Sequence, residues 1–280
     1  MIDLHTHSTC SDGTLSPAQL VRSAREAGVT HMALTDHDTV VGLAEAREEA
    51  ARQGVAFLGG LEISAEYPPG TMHILGYGFD ENSPSLLEKL AYVQQARRDR
   101  NPKIVSILNR LGLDVTMDEV ADEAGGEVVG RPHFAAVLLR KGHVRSTQEA
   151  FDRFLAKGQP AYMDKVRLSP EDSIAAIRAA GGVAVLAHPL QLKASGDEAL
   201  EAVVSGLAKL GLQGMECYYR NHTEEDTARF LGFARRHDLI PTGGSDFHGS
   251  NRPRIRLGIG EGTLKVPLSC WAELAQRTCG

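Results

Sequence analysis

The sequence predicts an α/β fold, a (β/α) barrel of about seven or eight strands. Three observations predict it. Strand-like and helix-like segments alternate through the first 82 residues and again after Ser169, with short links. That is the pattern of parallel strands joined by right-handed crossovers. "VAVLAHP" is a continuous apolar run, the kind of strand buried on both faces of a parallel sheet. Histidines and carboxylates recur at the C-terminal ends of the predicted strands. In a parallel barrel those ends share the face that carries active sites.

"MIDLHTH" is the first strand. Ser16 caps the helix "SPAQLVRSAREAG", with Pro17 at its first position and Gly28 closing it, the ordinary punctuation of a helix. "THMALTDHD" is the second strand and "VGLAEAREEAARQG" the second helix, ending at Gly54. "VAFLGGLEISAEY" and "MHILGYGFD" are further strands. The pattern then turns helical, in "SPSLLEKLAYVQQARRDRNPKIVSILNRLG", "TMDEVADEAGG", "RPHFAAVLLRKG" and "STQEAFDRFLAKG". Pro102 predicts a break or kink in the first of these. We expect residues 83–158 to be a helical insertion over the barrel mouth, with residues 1–82 and 159–280 forming the barrel. Alternation resumes with helix "SPEDSIAAIRAAGG" and strand "VAVLAHP". Helix "DEALEAVVSGLAKLG", strand "LQGMECYY", helix "TEEDTARFLGFARRHD" and strand "LIPTGGSDFHG" follow. "RIRLGIG" is a last extended piece and "PLSCWAELAQR" a last helix.

With 280 residues, 42% hydrophobic and 24% charged, the chain suits one large domain or a domain with an insertion. No segment approaches the roughly 20 apolar residues of a membrane span, and no basic region precedes an apolar run as in a signal peptide. Cys10, Cys217, Cys270 and Cys279 are scattered, which argues against a thiolate zinc site or a disulfide framework. A cytoplasmic location is expected, with no membrane contact and no obligate protein partner. The net charge of −6 argues against bulk binding of long nucleic acid, which uses a basic face. It leaves room for a small phosphorylated ligand held by local cations.

The strand ends carry His5-Thr6-His7, then Thr35-Asp36-His37-Asp38, Glu62, His188 and Ser245-Asp246-Phe247-His248, while the fourth strand begins near His73. Strand side chains alternate, so His5 and His7 face together, and Asp3 with them. Asp246 and His248 form a second such pair, and the two pairs meet if the barrel closes. Imidazole and carboxylate donors suit Mn²⁺, Fe²⁺ or Zn²⁺, and a single carboxylate, Glu62, can bridge two ions. Several metals about 3.5–4 Å apart suit hydrolysis of phosphate esters. His31, His143 and His237 lie at element edges or among charges and read as ordinary histidines.

"HTHSTCSDG", "ALTDHDT", "GLEIS", "AHP" and "GGSDFH" resemble, in order, the motifs of the polymerase and histidinol phosphatase (PHP) superfamily. The match spans nearly the whole chain outside the helical insertion. The resemblance implies a distorted (β/α)7 TIM-like barrel and two or three divalent ions per chain, Mn²⁺ first, with Fe²⁺ and Zn²⁺ as alternatives. It places His5, His7, Glu62 and Asp246 on the first ion. Glu62 bridges to the second, completed by His73 and either His188 or His133. Asp12, His37 and His248 hold the third. Many relatives have histidine where this chain has Asp12. Asp3 takes the supporting role of orienting a metal-bound histidine. "VVGRPHFAAVLL", "ECYYRNHTEED" and "HGSNRP" resemble the small stand-alone branch that includes 3′,5′-nucleoside bisphosphate phosphatases.

That branch implies removal of the 3′-phosphate from a substrate such as adenosine 3′,5′-bisphosphate, by attack of a metal-bridged hydroxide. Arg131, Arg220 and Arg252, with His133 and His222, are the expected substrate-binding residues; guanidinium matches phosphate bidentately. Asp246 belongs to the catalytic set, and His188, His133 or His222 protonates the leaving oxygen. Three alternatives stand beside this reading: a 5′-to-3′ exoribonuclease on short 5′-phosphorylated RNA, a histidinol-phosphate phosphatase, and a non-catalytic PHP module.

Overall fold

A computed structural model of the chain describes residues 1–68, 70–124 and 129–278. Gly125 and Gly126, at the end of one predicted helical segment, Val128, at the head of the motif "VVGRPHFAAVLL", and Cys279 lie outside the described residues. Seven strands form one sheet in sequence order: β1 (Ile2–Asp3), β2 (His31–Leu34), β3 (Ala56–Ala65), β4 (Met72–Tyr77), β5 (Val183–Leu186), β6 (Gly214–Tyr219) and β7 (Ile240–Gly244). Helices α1 (Pro17–Glu26) and α2 (Leu43–Gln53) fill the first two crossovers. The others are α7 (Pro170–Ala179), α8 (Asp197–Lys209), α9 (Glu224–Arg236) and α10 (Leu268–Thr278). Between β4 and α7 lie α3 (Pro84–Arg110), α4 (Met117–Ala124), α5 (Arg131–Arg140) and α6 (Thr147–Ala150), the last running on as a π-helical turn over Phe151–Leu155.

The helix starts follow their side chains. Ser16 Oγ accepts from Gln19 N at 3.3 Å while Gln19 Oε1 accepts from Ser16 N at 2.9 Å, a capping box that satisfies two donors the helix cannot. Thr223 and Asp226 form a second capping box on α9, and Ser169 caps α7 by accepting from Asp172 N. Leu20, Val21 and Ala24 of α1 pack with Met32 and Leu34 of β2 in one buried cluster. Each such large side chain contributes roughly 1.5–3 kcal/mol. The helical segment between β4 and α7 has its own apolar cluster, built on Ile104, Leu108, Phe134, Val137 and Leu138.

Three elements depart from the sequence reading. β4 is antiparallel to both β3 and β5, because only a short hairpin joins it to β3, with no crossover helix. Its first residues therefore lie on the same rim as the ends of the parallel strands. α3 runs through Pro102 without a break. "RIRLGIG" forms turns closed by an isolated Arg256–Gly260 bridge, not a strand.

The sheet closes through its first and last strands. Leu4 N donates to Gly243 O (3.2 Å), Asp246 N to His5 O (2.9 Å) and His7 N to Phe247 O (2.9 Å). Asp3 reinforces the seam. It is fully buried and accepts from Ser245 N (2.8 Å), Ser245 Oγ (2.6 Å) and Gly258 N (2.8 Å). Its carboxylate therefore ties the chain ends together and does not orient an imidazole ring, contrary to the role expected for it. Asp3→Ala leaves these buried donors unpaired, at about 1–3 kcal/mol each. We expect a loss of at least about 3 kcal/mol in urea unfolding, read from a lowered midpoint at unchanged slope.

Candidate active site

The strand ends converge on one carboxylate. Glu62, buried in β3, places Oε1 at 2.8 Å from His73 Nδ1 and 3.0 Å from His188 Nε2. Its Oε2 lies 3.3 Å from both His5 Nε2 and His7 Nε2 and 3.1 Å from His37 Nδ1. Asp246 Oδ1 lies 3.3 Å from His7 Nε2, 3.6 Å from His5 Nε2 and 3.5 Å from His248 Nδ1. Asp12 Oδ1 sits 3.2 Å from His248 Nε2. Among the described residues, three groups offer ligand atoms within 4.8 Å of one another: His5, His7, Glu62 and Asp246; His7, Asp12, His37 and His248; and His37, Glu62 and His73.

Backbone features deliver these side chains. Thr6 and Thr35 exchange hydrogen bonds (Thr6 N to Thr35 Oγ1, 3.2 Å; Thr35 N to Thr6 O, 2.9 Å) and hold the ends of β1 and β2 side by side. Asp36 accepts from Ser8 N, Ser8 Oγ and Ser11 Oγ at 2.6–2.7 Å, shaping the turn that presents Asp12. Asp38, His188 and Asp246 all have positive φ, at 55°, 27° and 55°. A non-glycine residue pays of order 1–3 kcal/mol for such a conformation, and here the three lie two to four residues past the ends of β2, β5 and β7. Asp246 and His248 thus converge through a left-handed turn beyond β7, not through strand alternation. A Cβ on Gly244 would lie 2.4 Å from both Cβ and N of His5, so only glycine lets His5 approach.

Glu216 supports the cluster from below. It is fully buried; Oε1 lies 3.1 Å from His5 Nδ1, and Oε2 accepts from His188 N at 2.7 Å. The sequence reading missed it, although a carboxylate inside the apolar run "GMECYY" was a signal. In the neutral ring, the proton on His5 Nδ1 faces Glu216, so Nε2 turns a lone pair toward Glu62 and Asp246. His248 Nδ1 bonds the carbonyl of Asp246 at 2.9 Å and must carry a proton, so its Nε2 also turns a lone pair toward Asp12.

These arrangements fit cations. His5 Nε2, both nitrogens of His7, Asp12 Oδ1, His37 Nδ1, Glu62 Oε2 and His248 Nε2 are buried and have no hydrogen-bond partner. Acceptors facing acceptors in a dry site repel unless a cation lies between them. The donor set, all imidazole and carboxylate, suits a divalent transition metal. Charge distribution agrees. Burial works to raise the carboxyls of Glu62, Asp246 and Asp12, yet nearby histidines, with Arg252 beside Asp246, outweigh it and hold all three well below the usual range. Asp3 and Asp36, hydrogen-bonded by neutral groups, are instead raised by burial. Burial pushes His37 down to about 3.

The other predicted residues are spread around this centre. Arg252 Nη1 donates to Asp246 Oδ2, and Arg220 Nη2 lies 3.6 Å from the same oxygen. Tyr219 Oη, also missed, donates to it at 2.6 Å. Arg131 lines a cavity shared with Asp12 and His37. His133 belongs to none of the three ligand groups; its Nδ1 accepts from Gly130 N at 3.1 Å. His222 Nδ1 donates to Cys217 O at 3.0 Å, and its ring packs between Tyr219 and Phe230.

A rim of buried histidines and carboxylates at the mouth of an α/β barrel defines a candidate metal centre, and comparison with known proteins gives its class. A PHP domain model matches residues 3–92. The chain is 34% identical over 277 residues to a 3′,5′-nucleoside bisphosphate phosphatase of Chromobacterium violaceum, covering 99% of this chain and 97% of that one. It is 36% identical over 246 residues to a 5′-3′ exoribonuclease of Haemophilus influenzae, covering 88% and 89%. A solved structure from Bifidobacterium adolescentis, assigned as a metal-dependent phosphoesterase, superposes with a TM-score of 0.85 at 33% identity, over 99% of this chain and 96% of that one. The chain belongs to the PHP family of metal-dependent phosphoesterases. No helix among the described residues is long and apolar enough to cross a membrane.

Gly244→Ala drives a methyl group into His5. We expect a loss of about 1–3 kcal/mol, as for other overpacked cores, measured by chemical denaturation, together with a shifted His5 imidazole resonance.

Proposed function

We propose that the protein removes the 3′-phosphate from nucleoside 3′,5′-bisphosphates such as adenosine 3′,5′-bisphosphate. The observation that carries this reading is the shared use of Glu62 and His7 by overlapping ligand groups, with arginines at their edge. The relative from Chromobacterium violaceum, aligned over 99% of this chain, supports the choice of substrate.

In this reading His5, His7, Glu62 and Asp246 hold one ion. Glu62, His73 and His188 hold a second, and Asp12, His37 and His248 a third. Mn²⁺ is our choice among ions this donor set accepts. Divalent cations supply Lewis acidity and positive charge against the phosphoryl oxygens. Arg252 and Arg220 brace Asp246 and add charge at the same edge. Arg131 offers a guanidinium in the cavity that Asp12 and His37 also line. Of the three histidines expected to protonate the leaving oxygen, His188 alone contacts Glu62, which suits it to the ligand role given to it here and leaves the proton to His133 or His222. Burial lowers both His133 and His222 from the usual histidine value. Residues 83–158 form the insertion and act as a size filter over the mouth, admitting a nucleotide and excluding a duplex.

A second reading, a 5′-to-3′ exoribonuclease on short 5′-phosphorylated RNA, draws on the relative from Haemophilus influenzae. One panel separates the readings. Metal-reconstituted protein is assayed for phosphate or nucleotide release from 3′,5′-bisphosphates, 2′- and 3′-monophosphates, histidinol phosphate and 5′-phosphorylated RNA. We expect the bisphosphate to lead by at least tenfold in kcat/KM; equal rates on all would refute a dedicated nucleotide pocket.

Asp246→Asn and Glu62→Gln keep side-chain size but remove charge. We expect each to lose at least about 10²-fold in kcat, on the scale of removing one electrostatic stabiliser, and at least one ion per chain by elemental analysis. Full metal content with full turnover in Asp246→Asn would sink the scheme. Chelation should abolish activity and lower Tm, because an ion bound only by the folded state stabilises it, and Mn²⁺ should restore both.

A further inference from the structure

Six of the seven strands supply a residue of the histidine cluster. β1 leads into His5 and His7, β2 into His37, β5 into His188 and β7 into Asp246, while Glu62 lies within β3 and His73 within β4. β6 supplies none of the clustered ligand atoms. It sends Glu216 and Tyr219 to the cluster instead. Strand alternation would put residues 216 and 219 on opposite faces. A bulge at Cys217 brings them to one. Glu216 pairs with Thr242 and Tyr218 with the next residue, Gly243, so Cys217 has no counterpart in β7. Bulges re-aim side chains in this way and are frequent beside active sites. Gly243 makes room for it: a Cβ there would lie 2.3 Å from Tyr218 O and 2.5 Å from Tyr218 Cβ. Cys217 itself packs in the apolar cluster that includes Phe230 and Phe233 of α9.

The hydrogen bonds of both side chains have a fixed direction. Glu216 Oε1 lies 3.1 Å from His5 Nδ1, and Oε2 accepts from His188 N at 2.7 Å. One carboxylate therefore sets a ring and a backbone position at once, the latter at a φ of 27°. Tyr219 Oη lies 2.6 Å from Asp246 Oδ2 and accepts from Arg220 Nε at 3.1 Å and from Gln191 Nε2 at 3.4 Å. A guanidinium only donates, so the phenolic proton points at Asp246. Asp246 Oδ2 also meets Arg252 Nη1 and, at 3.6 Å, Arg220 Nη2. These donors occupy Oδ2 and leave Oδ1 to face His5, His7 and His248. Both β6 side chains are buried, and hydrogen bonds to ionised groups are the strong ones.

We propose that Glu216 and Tyr219 are positioning residues for the hydrolysis, acting through His5 and Asp246, and that the bulge of β6 brings both to the same ligand group. The inference rests on the phosphoesterase reading above and deepens it. Glu216 keeps the proton on His5 Nδ1 and the lone pair on Nε2. Tyr219 keeps Asp246 on a single oxygen. His5 and Asp246 belong to one group with His7 and Glu62, so that group is set for a divalent cation before one arrives. Partners of this kind carry about 10–100-fold in metal affinity or activity.

The test compares Glu216→Gln and Tyr219→Phe with wild type. A glutamine has one oxygen where the glutamate has two. Either His188 N loses its acceptor, or the amide donates to His5 Nδ1 and moves the ring proton to Nε2. Tyr219→Phe removes one oxygen and keeps the ring, and it serves where Glu216→Gln fails to fold. The first readout needs no turnover: calorimetric titration of metal-free protein with Mn²⁺. We expect the tightest site to weaken at least about tenfold in each variant. The second is the ¹⁵N-histidine spectrum of Zn²⁺-loaded protein. We expect the His5 Nδ1–H resonance to be lost or moved in Glu216→Gln and kept in Tyr219→Phe, a pattern that general loosening of the fold would not give. The third is turnover of adenosine 3′,5′-bisphosphate at limiting Mn²⁺. We expect each variant to lose at least about tenfold in kcat at unchanged KM, with excess Mn²⁺ restoring Tyr219→Phe. Unchanged Mn²⁺ affinity in a variant overturns the role of that residue, and so does a loss carried in KM alone. Variants that bind Mn²⁺ like wild type in an active enzyme reject the positioning roles and keep the reaction. Variants that lose Mn²⁺ affinity in a protein that hydrolyses no nucleotide keep the positioning roles and reject the assigned reaction.

Discussion

A single buried carboxylate organises this structure. Glu62 lies within 3.3 Å of five imidazoles, those of His5, His7, His37, His73 and His188. Such a group is tolerable in a dry barrel mouth only while positive charge surrounds it. That requirement fixes which strand ends must meet at β3 and how far each must extend. It also explains the reinforcement around the site. Glu216 below, Asp36 at the first turn and Asp3 at the seam each spend a buried carboxylate on holding backbone or ring positions. The carboxyls facing the centre are held ionised by charge, while two of the three bracing carboxyls, Asp3 and Asp36, rest on neutral donors.

Much of this was legible in the sequence, because strand-end motifs are local. "HTH", "TDHD", "GLEIS", "AHP" and "SDFH" could be placed at the ends of strands from their apolar runs alone. What escaped depended on contacts between distant segments. The direction of β4 is set by the absence of a helix after β3, so His73 reaches the rim from the start of its strand. Asp3 has the spacing of a residue that faces with His5, yet Ser245 and Gly258 claim its oxygens. Glu216 and Tyr219 lie in a strand whose apolar neighbours conceal them. Arg97, Arg100 and Lys165 look like surface charge in sequence; only the docking of α3 against the barrel collects them in the cavity that Asp12 and His37 also line.

That docking has a defined anchor. Asp38 adopts a left-handed backbone conformation just past His37, accepts from Ser64 N at 3.0 Å and pairs with Arg97. Its carbonyl accepts from Gln94 Nε2 at 2.9 Å. One residue next to the histidine cluster therefore also sets the position of the long helix. Barrel rim and long helix share a reference point, so their separation is determined by a few bonds and not by the long connections on either side.

The reversed direction of β4 bears on how the centre is assembled as the chain emerges. Glu62 and His73 are neighbours in a hairpin, eleven residues apart, and can meet once that hairpin has formed, since short loops close at little entropic cost. His5 waits far longer. Its carboxylate partner Asp246 and the glycine that admits it, Gly244, come from the other end of the chain. The earliest histidine of the cluster in the chain thus depends on the latest segment that builds it, whereas Glu62 and His73 need only their own hairpin.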